Sequence, residues 1–205
     1  MQFSEIVAGR RSIKKYDPRH VITDAELKAI FERVILSPSS FNLQHGRFIV
    51  IRDKAVKAQL RKAAHDQEQV ETASAVVVVA AKLTAYKDST LIYADVPESV
   101  RKSIVPMINE FYANDPQMQR DEAIRSASLA AMTLMYAAYD LGYASGPLIG
   151  FDQIAVGNLI ALDDEHIPVM LVVIGKETGE VRPRGPRHPV AEVVKLESSQ
   201  GKGLI

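Results

Sequence analysis

Cysteine is absent from all 205 residues. That excludes disulfides, thiolate nucleophiles, zinc ribbons and iron–sulfur clusters. No excess of either charge is present: 25 basic residues balance 25 acidic ones. Nucleic-acid and membrane-surface binders usually carry a basic surplus, so neither partner is expected. No long hydrophobic run occurs. The most apolar helical stretch, Ser126 to Tyr139, lies between Arg125 and Asp140 and falls short of the roughly 20 residues that span a bilayer. The first residues, Met1 to Glu5, have no basic segment leading into an apolar one, so no secretory signal is expected and the cytoplasm is the default compartment. Gly-x-Ser-x-Gly, Walker A and Gly-x-Gly-x-x-Gly patterns are all missing, and Gly142 to Gly146 has the wrong spacing for a nucleophile elbow. The five histidines, His20, His45, His65, His166 and His188, are scattered without metal-ligand spacing. Asp163-Asp164-Glu165 reads as a solvated turn. An enzyme lacking both an activated nucleophile and a metal cluster borrows its chemistry from an organic cofactor.

Ordinary globular material fills the chain: 47% hydrophobic and 24% charged residues, enough to bury a core at this length. A short helix is predicted over 3–9. A second opens at Thr23, where Glu26 completes a capping box. Leu27, Ile30, Phe31, Val34 and Ile35 then recur at helical spacing, and Pro38 marks the end. Residues 47–52, 75–80 and 169–174 read as strands, the last two apolar enough to be covered on both faces. Helices are expected near 54–64 and 68–72, over 119–141 closed by Gly142, and over 153–162 capped by Asp152. The pattern implies one α+β domain over 1–205, a central mixed or antiparallel sheet flanked by helices. Residues 84–116, with Tyr86, Tyr93, Phe111 and Tyr112, read as a partly helical insertion and a candidate lid, or equally as a surface helix. Residues 176–205 form an arm whose Val190, Val193, Val194 and Leu196 lack a local partner.

Four segments combine polar side chains with backbone suited to an anionic, hydrogen-bonding ligand. Arg10-Arg11-Ser12-Ile13-Lys14 alternates donors along one side of an extended chain. Pro38-Ser39-Ser40-Phe41-Asn42-Leu43-Gln44 offers hydroxyls and amides. Gly146-Pro147-Leu148-Ile149-Gly150 brackets apolar residues with glycines, which lets backbone approach a flat ligand. Arg182 to Pro189 is rich in arginine. Taken singly, each reads as well as a basic run, a turn or a tail.

Taken in order, Arg10-x-Ser12-x-Lys14, Pro38-Ser39-Ser40-x-Asn42-x-Gln44, Gly146-Pro147-x-x-Gly150-Phe151 and Arg187-x-Pro189 resemble the FMN-dependent nitroreductase family, over about residues 3 to 196. The resemblance implies an intertwined homodimer whose C-terminal arms add to the partner's sheet, with FMN at the interface. It assigns Arg10, Ser12 and Arg187 to the phosphate and ribityl chain, with Arg11 in the same run. Lys14 goes to the pyrimidine edge. Pro38, Ser39, Ser40 and Asn42 come from the other subunit, and Ile149 and Gly150 supply backbone donors near N5. Two positions depart from the family: Asp66 stands where asparagine is common, and Gln69 where some members have lysine. Gln67 and Gln69 are the candidates to take over these amide contacts. The implied reaction passes hydride from NADH or NADPH to flavin N5, then to a small acceptor such as a nitroaromatic or quinone, in ping-pong order. Phe41 and the 93–112 region are candidate slot walls, with Phe41 equally readable as a core residue. The same scaffold also reduces enones, removes halogens or consumes flavin. A flavin-binding protein without turnover, and a flavin-free interaction module, are the rivals of other classes.

Overall fold

The computed structural model describes residues 1–204. Helix α1 (Phe3–Gly9) and helix α2 (Asp24–Val34) come first. At Thr23 the capping box forms as the sequence predicts: its hydroxyl accepts from the Glu26 amide, and the Glu26 carboxylate takes the Thr23 amide at 2.9 Å. A 3₁₀ turn at Ser40–Asn42 leads into β1 (Gly46–Ile51). Helices α3 (Lys54–Ala63) and α4 (Glu68–Thr72) precede β2 (Ala75–Lys82). The insertion then folds as a 3₁₀ turn at Ala85–Asp88, α5 (Ser89–Ile92) and α6 (Glu98–Tyr112). The long α7 (Pro116–Asp140) follows, then β3 (Ala144–Leu148), α8 (Gln153–Leu159) and β4 (His166–Gly175). A single turn, α9 (Val190–Val193), lies within the C-terminal arm.

The four strands form one sheet in the order β1-β2-β4-β3, and every pairing is antiparallel. The α+β arrangement stands, and the mixed alternative does not apply to these strands. β2 is buried along nearly its whole length because helices cover both faces. On one face α2 and α7 pack Ile30, Val34, Ala127, Ala131 and Leu134 against Val77 and Val79. Alanines on α7 let this 25-residue helix lie close to the sheet. On the other face α3, α4 and α8 pack Leu60, Val70 and Val156 against Val76 and Val78.

Two differences from the sequence reading have clear causes. β4 starts three residues before Val169, at His166, even though Pro168 cannot donate to a ladder. A register shift between Val79 and Ala80 falls opposite it and absorbs the missing bond. β3 occupies a stretch read as a turn: Ala-Ser-Gly-Pro-Leu has little strand propensity, but an edge strand tolerates proline.

Candidate functional site

Residues 12–17 run along the open edge of β3 and are pinned from two sides. The Ile13 amide donates to the Ser145 carbonyl at 3.0 Å, in a parallel bridge between Ser12 and Ser145. On the other side, the Asp17 amide donates to Lys176 O at 2.9 Å and the Thr178 amide to Lys15 O at 3.1 Å. Ile13 and Tyr16 are buried, while Ser12, Lys14 and Lys15 are exposed. Gly146 permits this pairing: a Cβ there would sit 2.7 Å from the Ile13 carbonyl oxygen. Glycine here serves packing within the protein, and it also lines the cavity that holds Lys14, Gln69 and Gly150.

Ser12 is common to three adjoining cavities. One, of about 170 Å³, is lined by Arg10, Arg11, Ser12, Arg182, Arg184, Gly185 and Arg187. None of these five guanidiniums meets a carboxylate among the described residues. Arg11 Nη1 donates to Ala8 O at 2.6 Å, Arg187 Nη1 to Gly185 O at 3.1 Å, and Arg184 Nη2 to Arg10 O at 2.9 Å. Arg10 Nη1 is buried and has no partner. Burial, and then the neighbouring guanidinium of Arg184, push Arg10 below its ordinary value. An orphaned cationic donor amid like charges is costly without an anion. Arg182 and Arg184 were visible in the fourth segment, but only Arg187 was singled out there.

A second cavity, of about 250 Å³, is lined by Ser12, Lys14, Gln67, Gln69, Ile149 and Gly150, among others. Gln69 is buried and donates its Nε2 to Gln67 Oε1 at 3.0 Å. Gln67 Nε2 in turn donates to the Gly150 carbonyl at 3.0 Å. This chain fixes the orientation of both amides. Neither the Ile149 nor the Gly150 amide hydrogen bonds within the protein, among the described residues. Two free backbone donors thus border the slot. Asp66, at 56° in φ, lies outside the lining set, with Arg61 4.0 Å away. The third cavity, about 410 Å³, opens the same groove between Lys14, Lys15 and Glu177 to Arg182.

Pro38, Ser39, Ser40 and Asn42 are elsewhere. Pro38 and Ser39 line a cavity of about 230 Å³ with His45, Arg47, Phe48 and Ser126 that shares no residue with the other three. Both serine hydroxyls are engaged: Ser39 Oγ accepts from the Gln44 amide at 2.8 Å, and Ser40 Oγ pairs with the Tyr112 hydroxyl at 2.9 Å. Phe41, Asn42 and Gln44 all have φ near +50°, which costs about 1–3 kcal/mol for a bulky residue such as phenylalanine. Burial pushes the His45 imidazole down to about 4, and its Nδ1 has no partner. So three of the four segments meet within one chain and the second does not.

Exposed apolar side chains mark a further surface. Phe3 on α1, Ile35 and Leu36 after α2, and Leu129 on α7 are 69%, 68%, 79% and 51% exposed. The outer edge of β1 is unpaired, and Val190 and Val193 of the arm are exposed. No described helix is long and apolar enough to cross a membrane.

The profile of the Nitroreductase family matches residues 7–176. MhqN of Bacillus subtilis, provisionally named an NAD(P)H nitroreductase, is 40% identical over 208 residues, which cover 95% of this chain and 98% of that protein. Protein DrgA of Synechocystis is 37% identical, with 96% of each chain covered. Among solved structures, ydfN of Bacillus subtilis superimposes with a TM-score of 0.91 at 40% identity, over 94% of this chain and 97% of that one. An Exiguobacterium sibiricum protein in complex with FMN gives a TM-score of 0.88 at 33% identity, over 96% and 98%.

Proposed function

The chain belongs to the nitroreductase family, and on that premise we propose that it is an FMN-dependent oxidoreductase drawing on NADH or NADPH to reduce nitroaromatic or quinone-type acceptors. One observation carries this reading. An unpartnered, buried Arg10 donor in an acid-free arginine cluster adjoins a slot bordered by free amides. A phosphate at one end and a flat, hydrogen-bonding ring at the other suit that pair of cavities. The FMN complex of the Exiguobacterium sibiricum relative supports the same cofactor.

Bound FMN would supply a two-electron carrier between nicotinamide and acceptor. The residues do the rest. Arg10, Arg187 and Ser12 would hold the phosphate and ribityl chain, and Arg11, Arg182 and Arg184 would add positive field. Lys14 would place a cation at the pyrimidine edge, where it would favour negative charge on the reduced ring. The Gln69–Gln67–Gly150 chain holds the Gly150 carbonyl turned into the protein, leaving the Ile149 and Gly150 amides for the ring. No side-chain nucleophile is needed, so donor and acceptor use one open slot in turn.

The active form is a homodimer in this reading. Pro38, Ser39, Ser40 and Asn42 reach the flavin of the partner, and the exposed apolar residues on α1, after α2 and on α7 are covered by a second copy. The arm finds the free edge of β1 on that copy.

The test is the visible spectrum of the purified chain, supplemented with FMN, before and after anaerobic NADH or NADPH. Flavin bands that bleach and recover with menadione or a nitroaromatic are expected. Protein that takes up no FMN refutes the reading. Flavin that binds but is not reduced by either donor leaves a binding protein instead.

A further inference from the structure

The loop from Ser39 to Gln44 is strained in a way its own bonds do not explain. Phe41, Asn42 and Gln44 have φ of 47°, 52° and 51°. Asparagine enters this left-handed region readily, but a bulky phenylalanine does so only when its surroundings impose it. Inside the loop, the Asn42 amide donates to Ser39 O and the Leu43 amide to Ser40 O, at 3.0 and 2.9 Å, while the Gln44 amide donates to Ser39 Oγ at 2.8 Å and Gln44 Nε2 to Asn42 O at 3.3 Å. Those bonds close a turn, yet they leave the Phe41 carbonyl and the Ser40 side chain to be fixed by something else.

Both are fixed by the insertion. The Tyr93 hydroxyl donates to the Phe41 carbonyl at 2.9 Å, and the Tyr112 hydroxyl pairs with Ser40 Oγ at 2.9 Å. Tyr112 is 1% exposed, and burial raises its phenol, so it remains protonated. Its position is itself anchored: it stacks on Tyr86, and its carbonyl accepts from Gln119 Nε2 on α7 at 2.8 Å. Lys82 on β2 pairs with Asp88, 2.7 Å away, at the insertion's start. Leu43 is buried against Ala85, Tyr86, Ile108 and Tyr112 beneath the loop. The insertion is thus tied to the sheet and to α7, and it reaches the loop through two hydroxyls.

We infer that Tyr93 and Tyr112 are positioning residues for the cofactor: their hydroxyls hold the Ser39–Gln44 loop in the conformation that meets the flavin of the partner subunit. The inference rests on the flavin reading above. It gives the insertion a role distinct from a lid that opens and closes. Each acts through the loop, by sparing the cofactor the cost of ordering it.

Three single variants separate hydroxyl from packing. Tyr93→Phe and Tyr112→Phe each remove one bond and keep the ring. Tyr86→Phe removes a hydroxyl in the same cluster that makes no bond to the loop. FMN dissociation constants are measured by flavin fluorescence on apoprotein, with amide exchange followed by mass spectrometry over residues 39–44. Tyr93→Phe and Tyr112→Phe are expected to weaken FMN binding about fivefold each, the equivalent of one neutral hydrogen bond. They also speed exchange in the loop of the apoprotein, and added FMN restores the slow exchange. Tyr86→Phe changes neither reading. If the wild type binds FMN and the Tyr93→Phe, Tyr112→Phe double variant binds it equally well, the inference is overturned and the flavin reading survives. Equal loss in Tyr86→Phe overturns it too, since packing then accounts for the effect. Wild-type protein that binds no FMN overturns both.

Discussion

Replacing Gly146 with alanine tests how the segment carrying Ser12 and Lys14 is held against the sheet. The new Cβ meets the Ile13 carbonyl oxygen at 2.7 Å and Val173 Cγ2 at 3.3 Å. The first neighbour is backbone and cannot swing away. Ordinary contact begins at 3.4 Å, so the 12–16 segment must retreat by roughly 0.7 Å. That retreat stretches the 3.0 Å bond from the Ile13 amide to Ser145 O beyond hydrogen-bond range. Overpacking of this kind costs about 1–3 kcal/mol, which lowers the melting midpoint by about 2–12 °C for a chain of this size. Gly150→Ala is the matched control. Its Cβ meets only Gln67 Nε2 at 3.7 Å and His65 Cδ2 at 3.9 Å, and its backbone is not left-handed. It should stay within about 0.5 kcal/mol of wild type. Melts are run on apoprotein, because bound FMN would raise the midpoint by linkage. FMN affinity is titrated alongside, and it should fall in Gly146→Ala as Ser12 and Lys14 move. A Gly146→Ala protein that melts with the wild type would falsify this account of the edge, as would a Gly150→Ala protein equally destabilised.

Arg10→Met should weaken FMN binding by about 10- to 150-fold, the range of a charge-assisted bond. The apoprotein should melt no lower than wild type, because the lost cation is unpartnered and surrounded by arginines; calorimetry of both forms checks the pair of outcomes. His45 gives a pH signature. Its pKa falls from 6.5 to about 4 through burial, so the unfolded chain holds the extra proton first. The stability it contributes is complete above pH 6.5 and is lost as the pH falls toward 4, by about 3 kcal/mol at pH 4. Urea melts of wild type and His45→Gln should therefore converge or cross across that window, and parallel curves would rule the effect out. Leu129→Glu puts a charge on the exposed face of α7; sedimentation should find monomers, and flavin should be lost with the dimer. A flavin-loaded monomer would contradict the shared site.

Legibility in the sequence followed physical strength. Elements with a strong local signal were readable: the Thr23–Glu26 box, the valine run of β2, and the Gly142 stop, where φ is 75°. The start of α7 was missed by three residues, although Asp115 caps it and Pro116 occupies its first position. β3 was illegible because its stability comes from pairing with β4 and not from its own residues. The four segments were legible only as an ordered set, through their resemblance to the family, since each alone reads equally well as a basic run, a turn or a tail. Which of them converge was not, because that depends on the sheet order. The arginine cluster forms only because the 176–184 stretch returns past α1, where Arg184 bonds Val7 O and Ala8 O at 3.0 and 3.2 Å. The clamp on Phe41 was equally hidden: a carbonyl and a tyrosine 52 residues apart leave no pattern in a sequence.

The separation of the second segment from the other three has a genetic consequence. In the proposed dimer, each site takes its arginine cluster from one chain and its serine loop from the other. A chain damaged at Arg10 and a chain damaged at Asn42 would each be defective alone. Paired together, they would assemble one site with both defects and one with neither. Such alleles would complement each other, whereas two alleles damaged in the same segment never would. Inheritance at this locus would thus report on geometry, sorting substitutions by the copy of the site in which they act.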